Sequence, residues 1–308
     1  MVELSLVIPM YNEEESLSSL FEELKPCIER VTSDYEIICV DDGSRDNTYQ
    51  ALQALNKSDS RIKAIKLSRN FKKETALTAG IHYAVGKAVI PMDADLQDPP
   101  ELIADMVAEW KKGYKVVLAT RRSRPHDSWF KRKTAEWFYR IINRVSTVKI
   151  PMNTGDFRLM DRMVVEAVKQ MHERTRFNKG IFAWVGFSTT TIMFDRKARA
   201  AGLTKYNFWN LWTGALDGIF AFTNAPLRIW TYIGGTLSLI SFLWAIYIIM
   251  QTLIFGNPVA GYPSLMVTVL FMGGMQLLSI GIIGEYVGRT YRETKHRPLF
   301  LIEETVGI

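Results

Sequence analysis

Short apolar runs alternate with longer amphipathic segments over residues 1–120. The apolar runs predict strands at 4–8, 36–40, 62–67, 88–92 and 115–119, and the segments between them predict helices at about 12–30, 48–56, 74–84 and 101–110. The first helix is predicted to open with a capping box, in which Asn12 is the N-cap and Glu15 follows three residues later. Near-continuous apolar strands that alternate with helices are typical of a parallel sheet covered on both faces, so the predicted fold class is α/β.

A polar cluster follows each predicted strand at its carboxyl end. The clusters are Tyr11–Glu13, Asp41–Ser44, Ser68–Asn70, Asp93–Asp95 and Thr120–Arg122. Ligands of α/β sheets bind beyond the carboxyl ends of the strands, where neighbouring loops converge. We therefore expect these five clusters to form one site at one edge of the sheet.

The stretch 229–284 contains no Asp, Glu, Lys or Arg. Because one helix needs about 20 apolar residues to cross a bilayer, this stretch is long enough for two spans. We predict them at about 229–255 and 264–284, with a turn-rich break between them. Basic residues flank both outer ends and the connecting loop is uncharged, which predicts that both termini face the cytoplasm. The sequence thus predicts a two-helix transmembrane hairpin, and a buried core hairpin is the less favoured alternative.

Two further segments have the pattern of helices that lie in the membrane interface. Basic residues precede an apolar stripe at 134–145, and residues 206–222 are rich in Trp and Phe. Such helices are drawn to anionic lipid headgroups. Ordinary amphipathic core helices remain the alternative for both segments.

Composition narrows the class of protein. The 308 residues are 48% hydrophobic and carry a formal net charge of +6 at pH 7, which excludes a disordered chain and a small disulfide scaffold. The charges after Gly284 cancel, so the positive excess lies before the predicted spans and suits a lipid surface better than nucleic acid. Cys27 and Cys39 form neither a disulfide framework nor a zinc pattern. With no signal peptide at the start of this sequence, we expect a reducing, cytoplasmic setting.

The Asp93-Ala94-Asp95 motif is the leading candidate for chemistry. Two carboxylates that follow a buried strand suit Mg²⁺ or Mn²⁺, which protein carboxylates and substrate phosphates hold together. Such an ion neutralises the charge on a departing nucleoside diphosphate. Asp98 has a competing interpretation as the N-cap of the helix that Pro99, Pro100 and Glu101 would open. The sequence lacks the G-x-G-x-x-G fingerprint and a P-loop, which disfavours a dehydrogenase or an ATPase.

Several motifs in the same order resemble the family-2 glycosyltransferases of GT-A fold. They are Val7–Glu14, Asp41–Ser44 and Asp93–Pro100, followed by Asn153–Met160, Arg199–Lys205 and Gly284–Arg289. The last three extend the resemblance, over essentially the whole chain, to the polyprenyl-phosphate glycosyltransferases, the dolichol-phosphate mannose synthase-like group. Within that group the chain most resembles the bactoprenol (undecaprenyl-phosphate) glucosyltransferases.

The resemblance implies a GT-A, Rossmann-like, mostly parallel sheet domain followed by interfacial helices and the transmembrane hairpin. The domain order is then a cytoplasmic glycosyltransferase domain at 1–205, an interfacial segment at 206–228, the spans at 229–284 and a cytoplasmic tail at 285–308. The implied location is the bacterial inner membrane, as a multi-pass protein with its catalytic domain and both termini in the cytoplasm. A homo-oligomer such as a tetramer is compatible with the resemblance.

The resemblance also implies roles for individual residues. The nucleotide pocket would be lined by Pro9, Tyr11, Glu13, Asp41, Asp42 and Asp93. The metal, Mg²⁺ or Mn²⁺, would be held by Asp95 with Asp93 and Gln97. The lipid phosphate would be bound by Arg196, Arg199 and Lys205. The catalytic group would comprise Asp95, Arg121 at the donor diphosphate or sugar, and Asp156 near the acceptor.

The acceptor itself qualifies the role of Asp156. A phosphate monoester has a second pKa near 6 and is largely a dianion at pH 7, so it needs little help from a general base. Positioning and charge balance should matter more. Asp156 as a base and Asp156 as an orienting group for Arg158 or a sugar hydroxyl therefore both stay open.

The implied reaction is inverting transfer of a hexose, taken as glucose, from UDP-hexose to undecaprenyl phosphate. The β-linked product would serve O-antigen, teichoic acid or other envelope glycan modification. A different nucleotide sugar, of the mannose, GlcNAc or aminoarabinose type, is the nearest alternative. A processive polysaccharide synthase is disfavoured because no Q-x-x-R-W motif is present. A non-catalytic membrane subunit is the alternative from another class.

Overall fold

The computed structural model describes residues 2–122, 151, 154–174, 176–195, 225–255 and 261–308. These residues divide into two compact units. The sheet unit holds the described residues up to 195 together with 297–308, and the hairpin unit holds 225–296. The predicted interfacial segments 134–145 and 206–222 lie outside the described residues.

The described part of the sheet unit is built on an eight-stranded mixed sheet. The strands are β1 (Leu4–Met10), β2 (Tyr35–Asp41), β3 (Ile62–Leu67), β4 (Ala88–Pro91), β5 (Val116–Arg121), β6 (Thr154–Asp161), β7 (Thr189–Phe194) and β8 (Ile302–Val306). Their order across the sheet is β7-β5-β6-β4-β1-β2-β3-β8. The five strands predicted from apolar runs are β1 to β5, and all five are confirmed.

Helices connect the strands, as parallel pairing requires. They are α1 (Leu17–Glu29), α2 (Thr48–Ser58), α3 (Lys73–Tyr83), α4 (Leu102–Lys111), α5 (Arg162–Lys169) and α6 (Asn178–Trp184). Strands β4, β1, β2 and β3 are mutually parallel, and apolar side chains from β1 and β2 pack with those of α1 in one core. Leu6, Ile37 and Leu24 in this core are completely buried. Their burial fixes the positions at which the loops leave the strands.

The predicted capping box at Asn12 is wrong. A 3₁₀ turn occupies Glu14–Ser16, and α1 begins at Leu17. Asn12 has a φ of 52°, and its side-chain oxygen accepts a hydrogen bond from the Arg45 backbone N–H at 2.8 Å. The side chain is thus used to join two loops rather than to cap the helix.

Strand β6 is antiparallel to both of its neighbours, β4 and β5. Its first residues, beginning at Thr154, therefore lie at the same edge as the last residues of β5, where Thr154 pairs with Thr120. The same pairing makes β5 run in the direction of β4. The carboxyl ends of β1, β2, β4 and β5 and the amino end of β6 consequently share one edge.

The sheet ends in a strand from the C-terminal part of the chain. Strand β8 pairs antiparallel with β3. The Ser68 N–H donates to the Leu301 carbonyl at 2.9 Å, and the Lys66 ammonium lies 3.2 Å from the Glu303 carboxylate. The chain thus returns to the sheet unit after the hairpin unit. The pattern of hydrophobic positions assigned no element to this segment.

The hairpin unit consists of two helices, α7 (Ala225–Phe255) and α8 (Tyr262–Thr294). Each contains one of the predicted spans, and α8 continues about three turns beyond the predicted end at residue 284. Large apolar side chains such as Phe242, Trp244 and Leu277 are exposed on both helices. Among the residues that the structure describes, no helix meets the length and hydropathy required to cross a membrane.

Candidate active site

The predicted site residues that the structure describes lie at the edge shared by β1, β2, β4, β5 and β6. The loop after β1 is fixed to the loop after β2 by side chains of the second loop. Ser44 Oγ accepts from the Asn12 N–H, and Thr48 Oγ1 accepts from the Glu13 N–H, both at 2.9 Å. Tyr11 and Glu13 are half-buried in this pair of loops. Pro9 pairs with Val40 in the ladder between β1 and β2.

Asp41 and Asp42 end β2 as buried carboxylates. Asp41 Oδ1 accepts from the Ser44 N–H at 3.1 Å, while Oδ2 is buried with no hydrogen-bond partner among the described residues. Asp42 Oδ1 accepts from the Phe71 N–H at 2.7 Å. Burial raises the pKa of Asp41 and raises that of Asp42 to about 6. An unpartnered buried acceptor is suited to a donor group of a ligand, because it gains most from a new hydrogen bond.

Gly43 lets the loops after β2 and β3 approach each other closely. Its φ is 68°, a left-handed conformation that glycine adopts without strain. A Cβ built on Gly43 would lie 2.6 Å from the Arg69 carbonyl carbon and 2.8 Å from the Asn70 nitrogen. Both obstacles are backbone atoms, so a side chain here would displace a loop.

Three carboxylates, those of Asp93, Asp95 and Asp98, lie in the loop after β4 and form the carboxylate cluster. Leu96 has a φ of 55°, and the Gln97 N–H donates to Asp95 Oδ1 at 3.2 Å, which closes a tight turn. Asp98 is only 3% exposed. Burial, assisted by the negative charge of Asp93, raises the pKa of Asp98 to about 6.

The interpretation of Asp98 as a helix N-cap is wrong. Helix α4 begins at Leu102, and the N-cap position is Glu101, which makes no capping hydrogen bond through its side chain. The Leu102 and Ile103 N–H groups instead donate to the carbonyls of Pro99 and Pro100. Asp98 faces the site because the two prolines place a further turn between it and the helix.

Arg121, the last residue of β5, lies beside this cluster. Its guanidinium is 3.7 Å from the Asp98 carboxylate. Its Nε is buried with no hydrogen-bond partner among the described residues. Gly155 on β6 packs against the guanidinium, since a Cβ there would lie 3.5 Å from Arg121 NH2. A cation with an unused donor is thus placed at the carboxylate cluster.

Lys73 connects Asp93 to Asp156. Its ammonium lies 2.6 Å from Asp93 Oδ1 and 2.8 Å from Asp156 Oδ2. Burial by itself would lower the pKa of Lys73, but the carboxylates of Asp156 and Asp93 raise it well above its ordinary value. No sequence motif pointed to this residue. The local sequence shows a pair of lysines, Lys72 and Lys73, at the start of a helix.

Asp156 is an ionised carboxylate surrounded by cations. It is 8% exposed, and burial would raise its pKa, yet Lys73, Lys179 and Arg158 hold that pKa well below its ordinary range. Arg158 donates to the Gly155 carbonyl at 2.7 Å and stacks on the Phe182 ring. A carboxylate with so low a pKa is a weak base, which favours an orienting role over proton abstraction.

Glu74 and Asn178 attach α3 to α6 behind Asp156. Glu74 Oε2 accepts from the Asn178 N–H at 3.1 Å, and the Asn178 side-chain amide donates to the Glu74 carbonyl at 3.0 Å. Burial, followed by the charge of Asp156, raises the pKa of Glu74 to about 7. Neither residue was predicted, because the contact joins segments far apart in the chain.

The predicted metal ligands lie together without forming a complete protein site. Among the described residues, no group of three or more His, Cys, Asp or Glu side chains is arranged to hold an ion. The three carboxylates of Asp93, Asp95 and Asp98 face two cations, Arg121 and Lys73, so the cluster keeps an excess of negative charge. That excess fits a divalent ion shared with substrate phosphates, for which one or two carboxylates suffice.

The predicted acceptor-phosphate residues Arg196, Arg199 and Lys205 lie outside the described residues. The site as described therefore comprises the loops after β1 and β2, the carboxylate cluster with Arg121, and the group formed by Lys73 and Asp156.

Comparison with known proteins identifies this arrangement. The sequence profile of glycosyl transferase family 2 matches residues 5–169, which contain all the site residues described above except those on α6. The chain belongs to glycosyl transferase family 2. The profile of the GtrB C-terminal hairpin matches residues 225–290 of this glycosyltransferase. The resemblance inferred from the sequence motifs is confirmed.

Relatives match this glycosyltransferase over its full length. An uncharacterized glycosyltransferase of Synechocystis is 55% identical over 307 residues, which cover 100% of this chain and 96% of the relative. The bactoprenol glucosyl transferase of Shigella phage SfV is 49% identical over 302 residues, 98% of each chain. Among solved structures, the glucosyl-3-phosphoglycerate synthase of Mycobacterium tuberculosis in complex with Mn²⁺, UDP-glucose and phosphoglyceric acid is 16% identical, with a TM-score of 0.46 over 70% of this chain and 76% of that chain.

Proposed function

We propose that the protein transfers glucose from UDP-glucose to undecaprenyl phosphate with inversion, giving a β-linked lipid phosphate sugar for envelope glycan modification. The observation that carries this proposal is the 49% identity to a bactoprenol glucosyl transferase over 98% of both chains. The grouping of Asp93, Asp98, Arg121 and Asp156 at one sheet edge supplies a site for it. The fold alone would be compatible with many activities.

On the donor side, we assign the nucleoside to the loops after β1 and β2. The unpartnered Oδ2 of Asp41 would accept a hydrogen bond from the base or ribose, beside Pro9, Tyr11, Glu13 and Asp42. Their backbone is held in place by hydrogen bonds between the two loops. The pocket therefore needs little reorganisation when the donor binds.

The donor diphosphate would lie at the carboxylate cluster. Asp95, with Asp93 and Gln97, would hold Mg²⁺ or Mn²⁺, and this ion, when bound, stabilises the negative charge on the leaving UDP. Arg121, with its unused Nε donor, would bind the diphosphate or the sugar. Asp98 anchors Arg121 in that position.

On the acceptor side, the nucleophile is an oxygen of the lipid phosphate. Because this phosphate is largely a dianion at pH 7, with a second pKa near 6, it can attack the anomeric carbon without prior proton abstraction. Asp156 would instead orient the cations around it, Lys73, Lys179 and Arg158. Arg196, Arg199 and Lys205 would complete the phosphate site.

The hairpin unit would anchor the protein in the bacterial inner membrane. Support comes from the charge-free stretch 229–284 and from the large exposed apolar side chains of α7 and α8. Basic residues flank both outer ends of the charge-free stretch, which would place both termini in the cytoplasm.

A panel of nucleotide sugars tests this function. Membranes that contain the full chain are incubated with undecaprenyl phosphate, Mn²⁺ and labelled UDP-glucose, UDP-GlcNAc or GDP-mannose, and label in the organic phase is measured. We expect label from UDP-glucose. Label from another donor alone would show that the sugar is not glucose and would leave the proposed transfer reaction unchanged. Absence of transfer from every donor, with no UDP binding, would support the non-catalytic subunit.

A further inference from the structure

The loop that carries Lys73 is rigidly held. Lys72 has a φ of 76°, a conformation that residues with a side chain rarely adopt, and it immediately precedes α3. The preceding residue, Phe71, donates its N–H to Asp42 at 2.7 Å. Strained backbone that is fixed by its surroundings is frequent where a side chain must be aimed. The loop thereby places Lys73, the first residue of α3, in the site.

The ammonium of Lys73 bridges two strands that approach from opposite directions. Asp93 follows the carboxyl end of β4, whereas Asp156 lies near the amino end of β6, and these strands are antiparallel neighbours. The two contacts, 2.6 and 2.8 Å, have the length of charge-assisted hydrogen bonds. A lysine ammonium is a compact charge with three donors, so it can serve two carboxylates at once.

The two carboxylates need this cation. Asp156 is 8% exposed, and removal of Lys73 would take away a cation in direct contact with its carboxylate, which leaves Lys179 and Arg158 to balance the buried charge. Asp93 is more open to solvent, with 31% side-chain exposure. Without Lys73, the two negative charges would repel each other across the position where donor and acceptor must meet.

We infer that Lys73 is a positioning residue of the transfer reaction, which holds the donor-side Asp93 and the acceptor-side Asp156 in one fixed arrangement. The inference rests on the proposed function, because it assigns the two carboxylates to the two substrates. By fixing their separation, Lys73 determines how the phosphate nucleophile meets the anomeric carbon. Small errors in such positioning have large effects on the rate of reaction.

The test is a double-mutant cycle in the full chain. Glucose transfer is measured for the wild type, Lys73→Met, Asp156→Asn and the double variant, together with UDP affinity in Mn²⁺ and the melting temperature. Lys112→Met is the matched control, since Lys112 is an exposed lysine that pairs with Glu109 on the surface of α4. Its transfer rate should equal that of the wild type.

We expect each single substitution to lower kcat by about 100-fold, while the affinity for UDP changes by less than about fivefold. The double variant should be within about threefold of the slower single variant, because both substitutions disrupt one arrangement. A kcat for Lys73→Met within about threefold of wild type would overturn the inference, and so would losses that multiply in the double variant. A parallel fall in UDP affinity and kcat would also overturn it and assign Lys73 to donor binding.

A second variant covers the case in which Lys73→Met does not fold. Lys73→Arg keeps the charge, but a planar guanidinium cannot occupy the same point between the two carboxylates. We expect it to melt near the wild-type temperature and to lose at least about tenfold in kcat. Wild-type kcat in this variant would contradict the inference. If the wild type itself transfers no glucose, the proposed function fails, which is a different result from an active wild type with an unaffected variant.

Discussion

The guanidinium of Arg121 lies 3.7 Å from the carboxylate of Asp98, and both side chains are largely withdrawn from solvent. Arg121 ends β5 and Asp98 lies in the loop after β4, so the contact joins two strand ends that β6 separates in the sheet. Burial and the nearby Asp93 raise the pKa of Asp98, whereas Arg121 opposes the rise. This pair therefore contributes one negative and one positive charge at the position proposed for the donor diphosphate.

Replacement of Asp98 should impair transfer more than stability. We expect Asp98→Asn to lower kcat/KM for UDP-glucose by about 10- to 100-fold, because Arg121 loses its charged anchor. A helix-capping residue would behave differently: its loss removes about 1 kcal/mol of stability and leaves catalysis intact. Transfer rates and melting temperatures of the purified variant distinguish the two roles.

Asp161→Ala is the matched control for that prediction. Asp161 is an actual N-cap, since its side chain accepts from the Met163 N–H at the start of α5. It also accepts from the Trp110 indole at 2.8 Å. Asp161→Ala should lower the melting temperature and spare kcat/KM. If Asp98→Asn and Asp161→Ala have the same kcat/KM, Asp98 has no role in the transfer reaction.

Gly43 should be intolerant of a side chain. Gly43→Ala would place a methyl group 2.6 Å from backbone at Arg69 and would also strain a left-handed φ. We expect a loss of about 2 kcal/mol or more in stability, together with weaker UDP binding, because the loop after β2 must move.

Gly113→Ala separates steric overlap from backbone strain as the cause of the expected loss at Gly43. Gly113 also has a positive φ, 107°, but a Cβ at this position would have no atom within 4 Å among the described residues. The variant should therefore lose about 1 kcal/mol from backbone strain alone and bind UDP normally. Thermal unfolding and UDP titration of both variants provide the measurement, and equal effects at the two glycines would contradict the steric account.

Asp42 should make stability depend on pH. Its folded pKa of about 6 lies above the unfolded value, so the folded state binds more protons than the unfolded state between about pH 4 and pH 6. Stability from this group is present below pH 4 and is lost as pH rises through 6. Asp42→Asn lacks this titration, and its amide oxygen can still accept from the Phe71 N–H.

Melting temperatures at pH 4.5 and pH 7.5 measure the effect. Relative to Asp42→Asn, the free energy of unfolding of the wild type should fall by roughly 2 kcal/mol between pH 4.5 and pH 7.5. This figure follows from the size of the pKa shift of Asp42. Asp34→Asn, at an exposed aspartate in the loop before β2, is the control and should follow the wild type. Parallel curves for the wild type and Asp42→Asn would show that burial does not perturb this carboxyl group.

The local sequence predicted the parallel part of the sheet and the edge at which most of the candidate site residues lie. Strands β1 to β5 are apolar runs whose burial follows from their composition, and the carboxyl ends of parallel strands necessarily share an edge. Asp41, Asp93 and Arg121 therefore meet at the edge where the strand pattern predicted them. The predicted GT-A fold class is confirmed at the level of a mixed α/β sheet.

The remaining features depend on contacts between distant segments. Strand β6 inserts antiparallel between β4 and β5, and β8 joins β3 from the C-terminal part of the chain, so no local pattern reveals either pairing. Lys73 contacts Asp156 only because β6 brings that residue to it. Asp98 was ambiguous because an Asp before two prolines also matches a helix start, and the start of α4 at Leu102, with Glu101 at the N-cap position, decided between the two interpretations.

The central claim is that the carboxylate cluster supports metal-dependent transfer of glucose to undecaprenyl phosphate. The most direct measurement is label transferred from UDP-glucose to the organic phase by the wild type, Asp95→Ala and the control Asp105→Ala, each with Mn²⁺ and with EDTA. Asp105 is an exposed carboxylate on α4. We predict transfer by the wild type and Asp105→Ala in Mn²⁺, none in EDTA, and a loss of at least about 100-fold in Asp95→Ala. Undiminished transfer by Asp95→Ala, or by the wild type in EDTA, would contradict the account.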